Sequence, residues 1–309
     1  MTYAIVARDP IAGEVGGAVQ THFFNAGAVV LWPEAGTGVV ATMAMAETAY
    51  GRIALRLLRQ GLSAQTALTQ LLKRDTKAAV RQVAVMGVRG APAAHTGEGC
   101  VSAAGHRSRS DAVTLGNMLA REGTWDRMMD AFEAATGPLA ARLLSALEAA
   151  EHSGGDIRGR QSAAIVVVKS AADPEAGEIG TEAIVPQVDL RVDDSAEPLI
   201  ELRRLLTLDG FYKELLALLT TPGLFVGPFN PAIASSAAVD VLRSGQRLLG
   251  DNQEATFWLA VLLARAGEME MARRQMAAAV AVRPMLREFA VRLVPQNMLS
   301  AAQAAALCN

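Results

Sequence analysis

Thr2-Tyr3-Ala4-Ile5-Val6-Ala7-Arg8-Asp9 follows Met1 and decides how the rest of the chain is read. The segment is short, apolar and rich in strand formers. Asp9-Pro10-Ile11-Ala12-Gly13 carries turn chemistry, and Val15 to Gln20 is a second apolar run. Together they predict a β-hairpin. A turn centred near Ile11 sets Thr2 opposite Gln20 or Thr21. Arg8 shares the parity of Thr2 but lies about 20 Å further along an extended strand, which predicts a structural ion pair at the far end.

Outward from the hairpin, Ala28 to Trp32 and Gly38 to Thr42 read as another strand pair. Thr48 to Gln60 is helical, and Ser63 caps a second helix reaching Arg74. Val80 to Val88 returns to strand, with Gly90 to Gly97 as its partner. Ala112 to Leu115 is a short strand. Trp125 to Ala135 and Leu139 to Glu151 are helices divided by Gly137-Pro138, and Ser162 to Lys169 and Ile184 to Val192 are strands. Tight turns between strands imply antiparallel sheets, and two helix pairs need sheet faces to cover. The expectation is an α+β fold: a four-layer αββα sandwich over residues 1–195, followed by an all-α tail over residues 196–309. In the tail, Glu197 to Leu219 and Ala232 to Leu249 are helical. Thr256 to Pro284 matches one tetratricopeptide-type helical hairpin, with Trp258, Leu259, Ala260, Gly267, Ala272, Ala279 and Pro284 at its marker positions.

The 309 residues are 51% hydrophobic and 19% charged, which excludes a disordered chain. A net charge of −2 and 5% aromatics argue against a nucleic-acid partner. The two cysteines, Cys100 and Cys308, predict neither a disulfide framework nor a zinc site and suit a reducing compartment. Short, polar-bounded apolar stretches and an opening without a basic, apolar leader predict a cytoplasmic protein with no membrane partner.

The familiar catalytic motifs are absent: no phosphate loop, no dinucleotide fingerprint, no His-Glu-x-x-His and no Gly-x-Ser-x-Gly. His22, His95, His106 and His152 lack ligand spacing, so no metal and no cofactor is expected. What remains is Thr2. Removal of Met1 would join a nucleophile and a base in one residue, because a free α-amine with pKa of about 7.7–8.0 can take the proton from its own Oγ1. Hairpin arithmetic brings Gln20 and His22 within reach. They read equally well as a strand-end polar residue and a surface histidine. Asn117 follows Gly116 in a turn-prone pair, and its amide is a candidate oxyanion donor or an ordinary turn residue. In the loop Gly154 to Ser162, Asp156 either orients the amine or pairs with an arginine. Arg158 or Arg160 either clamps a substrate carboxylate or closes an internal ion pair. His95 is a site residue or a capped core histidine, and Cys100 reads as a small buried residue.

Several of these stretches also belong to one pattern. Thr2 to Asp9, Gly16 to Phe24 (GGAVQTHFF), Gly38 to Gly51 (GVVATMAMAETAYG), His95-Thr96-Gly97, Gly116-Asn117-Met118-Leu119 and Gly154 to Ala163 (GGDIRGRQSA) occur in order. Over about residues 2–195 the chain resembles the domain-of-unknown-function family 1028 of the N-terminal nucleophile (Ntn) hydrolase superfamily. Its tail resembles the tetratricopeptide-like helices some members append. The resemblance implies the αββα Ntn fold and names no substrate.

The expected function is therefore an amide-bond hydrolase. Thr2, Asn117 and Asp156 form its catalytic set, and Gln20, His22, His95 and Arg160 line the site of a small amide or peptide-like substrate. The competing expectation is a non-catalytic scaffold whose helical tail binds a protein partner. Alternatively the tail forms a homodimer through Leu202, Leu205, Leu206 and Leu215.

Overall fold

The computed structural model describes residues 2–171, 187–233 and 236–308. They fall into two compact units, Met1–Leu206 and Thr207–Asn309.

The first unit runs β1 (Thr2–Asp9), β2 (Glu14–Thr21), α1 (Ala26–Val30), β3 (Leu31–Glu34), β4 (Gly38–Ala44), α2 (Ala49–Arg59) and α3 (Ala64–Arg74). It continues through β5 (Arg81–Gly87), β6 (Ala93–Thr96), β7 (Gly105–Ser108), β8 (Ala112–Asn117), α4 (Thr124–Ala134), α5 (Leu139–His152), β9 (Ser162–Lys169) and β10 (Val188–Val192). Helix α6 (Pro198–Thr220) begins in this unit. Two sheets form, ordered β10-β9-β2-β1-β8-β7 and β3-β4-β5-β6, and every named pairing is antiparallel.

Period-two alternation along the strands builds three apolar layers. Tyr3, Ile5, Ala7, Ala163 and Ile165 face α4 and α5. Ala4, Val6, Val113 and Val166 face Val39, Ala41, Ala84 and Met86 of the second sheet. Val40, Val83 and Val85 turn the other way, toward Leu55 of α2 and Leu68 of α3. Strand β1 thus lies buried in the middle of its sheet with both faces covered. The α2–β3 approach depends on Gly51, where a Cβ would sit 2.1 Å from the Trp32 ring.

One local expectation needs correction. Residues Ala28 to Val30 are helical, because the Ser162 hydroxyl accepts from Ala26 N at 3.1 Å at the start of α1. The strand begins only at Leu31, and it is an edge strand, where Pro33 leaves no ladder bond unmade. Strand β7 carries no apolar alternation (Gly-His-Arg-Ser) and takes its place as an edge strand by pairing with β8. Part of the expected Ile184 to Val192 strand, residues 184–186, lies outside the described residues.

The second unit holds the rest of α6, then α7 (Ser236–Leu249), α8 (Glu254–Arg265), α9 (Met269–Val282), α10 (Leu286–Arg292) and α11 (Ala301–Cys308). Helix α8 is buried from Ala255 through Leu262 and forms the centre, with Phe257, Trp258 and Phe289 in ring contact. Of the leucines expected to form a dimer face, Leu202 is buried in the first unit's core, with Leu205 and Leu206 packed on it. Leu215 is buried in the second unit's core. They are consumed inside the chain and do not form a free face. Among the described residues, no helix is long and apolar enough to cross a membrane.

Candidate functional site

Thr2 opens β1 with Thr21 of β2 on one side and Asn117 of β8 on the other. Its Oγ1 donates to Thr21 Oγ1 at 3.1 Å. Thr2 shares the parity of Ala4 and Val6, so its side chain faces the second sheet. Asn117, cross-strand from it, faces the same way. Its Nδ2 donates to Gln82 Oε1 at 2.9 Å and to Thr2 O at 3.5 Å.

Gln82, fully buried at the start of β5, is the hub of this layer. Its Nε2 lies 2.8 Å from Gly116 O, 3.0 Å from Gly105 O and 3.0 Å from Thr96 Oγ1. Two carbonyls claim that nitrogen, so Oε1 must face Asn117, and Asn117 must present Nδ2 in return. Asn117 Oδ1 is then left buried without a hydrogen-bond partner among the described residues. Beyond Gln82, Thr96 Oγ1 meets His106 Nδ1 at 2.8 Å. Burial, then the charge of His95, pushes the pKa of His106 below its ordinary value. A cavity of about 510 Å³ begins where this chain ends, lined by Thr96, Gly105, His106, Glu98, Glu122 and Trp125 among others. Gly105 is required there, because a Cβ would meet the Trp125 ring at 2.5 Å.

The other expected site residues lie elsewhere. Gln20 pairs with Tyr3 and shares the parity of Ala18, so it faces α4 and α5, away from the Thr2 side chain. Both its amide atoms are buried without a partner among the described residues. His22 lies just past β2. Its backbone N–H donates to Asp156 Oδ2 at 2.9 Å, and its Nδ1 lies 3.2 Å from Arg160 O. Asp156 accepts from the backbone and guanidinium of Arg158, the nearest contacts being 2.9 and 3.2 Å. It thus pairs with an arginine. Arg160 forms the internal pair, the alternative to a carboxylate clamp: its guanidinium binds Glu151 at 2.7 Å and also Glu197. Burial works against its charge, but those two carboxylates raise its pKa. Glu151 in turn accepts from Tyr3 Oη at 2.7 Å, and burial followed by that carboxylate lifts the Tyr3 pKa well above 10. His95 is a capped core histidine, with Nε2 2.9 Å from Ala78 O on the outer face of the second sheet. Cys100 is half-buried against Arg81 O, and burial raises its thiol pKa.

The expected set is therefore dispersed: Gln20 faces the helices, His95 lies on the second sheet, and His22, Asp156 and Arg160 meet at the loop after α5. Thr2 and Asn117 remain together between the sheets, joined by Thr21, Gln82, Thr96 and His106. Gln82 had a readable signal. It is a glutamine at an inward position of a strand whose next inward residues, Ala84 and Met86, are apolar.

The profile of the family described as "Family of unknown function (DUF1028)" matches residues 2–202. The crystal structure of protein SPO2555 from Silicibacter pomeroyi, assigned to DUF1028, is similar at 31% identity and TM-score 0.59. The match covers 67% of this chain and 88% of that one. Anbu (ancestral beta-subunit) from Yersinia bercovieri aligns at 10% identity and TM-score 0.33, over 72% of this chain and 99% of that one. No curated protein matches the chain.

Proposed function

Since this chain belongs to the DUF1028 family, we propose for it an activity that the family description leaves open: hydrolysis of a small amide or peptide-like substrate, with Thr2 as an Ntn-type nucleophile. The observation that carries the reading is the Thr2–Thr21–Asn117–Gln82 cluster. It is a polar group set into an otherwise apolar layer between two sheets, at the first residue of a central strand.

On this reading, Met1 is removed and the Thr2 amine is freed. Thr21 fixes the Thr2 hydroxyl through the 3.1 Å bond. The amine takes the Oγ1 proton, and Oγ1 attacks the substrate carbonyl carbon. The tetrahedral intermediate collapses, the C–N bond breaks and the leaving amine receives that proton. Water, deprotonated by the same amine, then attacks the acyl-Thr2 ester and releases the acid. Asn117 acts as a positioning residue: its Nδ2 protons already serve Gln82 and Thr2 O, so backbone N–H groups must hold the oxyanion. Its orphaned Oδ1 supplies a buried acceptor near the new ammonium.

The test compares wild type with Thr2→Ala and Thr2→Ser across a panel of small amides, with intact mass recorded for each. The reading expects a chain lacking Met1, serine activity within about tenfold of wild type, and alanine activity lost by about 10³-fold. Equal turnover by the alanine variant would end it.

A further inference from the structure

The second unit contains a buried cation with no countercharge among the described residues. Arg265, at the end of α8, is 9% exposed. Its Nη1 donates to Met298 O at 2.7 Å and Asn297 O at 3.2 Å, its Nη2 to Gly227 O at 2.6 Å, and its Nε to Leu224 O. All four acceptors are neutral carbonyls. They satisfy hydrogen bonds but cancel no charge, and among the described residues no carboxylate forms an ion pair with this guanidinium. A buried charge in that state is unfavourable unless something neutralises it. Accordingly, burial alone holds the pKa of Arg265 below its usual value.

Arg265 lines a cavity of about 470 Å³, and none of the lining residues is acidic. One wall is apolar, made by Pro228, Phe229 and Leu299, with the Phe229 ring centre 5.9 Å from the guanidinium carbon. The opposite wall includes Ser300 and Gln303, which cap α11 reciprocally. Ser300 Oγ accepts from Gln303 N at 3.1 Å, and Gln303 Oε1 accepts from Ser300 N at 2.9 Å. The positive end of that helix dipole therefore adds to the field of Arg265 in the cavity.

We propose that this cavity binds a small monocarboxylate with an apolar body. Its carboxylate is neutralised by Arg265, and its body lies against Phe229, Pro228 and Leu299. One buried positive charge matches one negative charge, which favours a monoanion over a phosphate dianion. The fifth guanidinium N–H is the donor left for the ligand, since the other four serve carbonyls. This site is independent of Thr2 and of any hydrolase activity.

The test is calorimetric titration of the full-length protein at pH 7 and constant ionic strength with sodium benzoate, sodium hexanoate, neutral benzamide and inorganic phosphate. The proposal expects saturable binding of at least one carboxylate. Benzamide and phosphate should each bind at least about tenfold more weakly. Phe229→Ala, which leaves the guanidinium and its carbonyls in place, should weaken carboxylate binding about fivefold. Arg265→Lys, checked for fold by circular dichroism, should weaken it further. Equal binding of benzoate and benzamide would reduce the cavity to an apolar hole and overturn the proposal. Phosphate binding as tightly as the carboxylates would also overturn it, as would no carboxylate binding at about 10 mM in folded protein.

Discussion

The two ends of strand β1 both place a polar side chain against the second sheet, and they differ in how completely that side chain is satisfied. At one end Arg8 binds Asp111 at 2.7 Å, Ser110 O at 2.9 Å and Gly87 O at 3.2 Å. Cation, anion and carbonyls close on one another, and the result fastens two sheets together. At the other end the Thr2 hydroxyl donates to the Thr21 hydroxyl at 3.1 Å. The Asn117 amide beside it is half satisfied: its Oδ1 is buried without a hydrogen-bond partner among the described residues. A closed set of partners marks a structural joint. The buried Asn117 Oδ1, without a partner among the described residues beside Gln82, is what sets the Thr2 end apart and what the proposed hydrolase reading builds on.

The sharpest way to break this contrast is Thr2→Ala. Turnover should fall by about 10³-fold while unfolding free energy, from urea denaturation, changes by only about 1 kcal/mol. Next comes Gln82→Leu, which removes the hub and strands Asn117 and the Gly105 and Gly116 carbonyls. Stability should drop by about 2–4 kcal/mol; a loss under about 1 kcal/mol would show that the network is not rigid.

At the closed end, Asp111→Asn should remove about 1 kcal/mol or less, because Asp111 is 41% exposed and partly screened. Its pH signature is more telling. Burial opposes ionisation of Asp111, but the hydrogen bonds from Arg8 and Ser110 and the charge of Arg8 together outweigh it and lower the folded pKa. Its contribution is therefore complete above the unfolded value of about 4 and fades as pH falls through the lower folded value. Stability curves from pH 7 to pH 2 should show a smaller acid loss in Asp111→Asn than in wild type, and identical acid limbs would contradict the pairing. The smallest effect belongs to Gln20→Met on the opposite face of the sheet. Its amide is buried and unpartnered, so the apolar replacement should be neutral or stabilising by up to about 1 kcal/mol in the same assay. A loss above about 2 kcal/mol would mean the amide is served after all.

Much of this architecture could be read before any coordinates. Ser162 to Lys169 is the strand the sequence predicts, and Ser63 caps α3 by accepting from Thr66 N at 3.1 Å. Counting residues around one turn placed Thr2 opposite Gln20 or Thr21, and the register selects Thr21; Arg8 pairs with Asp111 at the far end as expected. What stayed hidden has a physical reason. Counting residues fixes who stands opposite whom but leaves open which face carries the reacting group. So Gln20, near Thr2 in register, came out on the helix side, and His22, past the end of β2, turned to the Asp156–Arg160 loop. Polar loops offer carboxylates and guanidines that satisfy one another locally, so Asp156 closed on Arg158 and Arg160 on Glu151 and Glu197. Gln82 joins Thr2 only through sheet-on-sheet packing, which no local pattern encodes. The edge strand β7 and the short helix α10 have too little periodicity to stand out.

The central claim concerns a free threonine with a reactive hydroxyl, and it can be tested without knowing the substrate. Purified protein would be treated with a small β-lactone, whose strained carbonyl an activated hydroxyl opens, and the adduct mapped by peptide mass spectrometry. The account predicts a chain beginning at Thr2, with one added lactone mass on Thr2 that vanishes in Thr2→Ala. Retained Met1, or labelling that persists undiminished in the alanine variant, would contradict it.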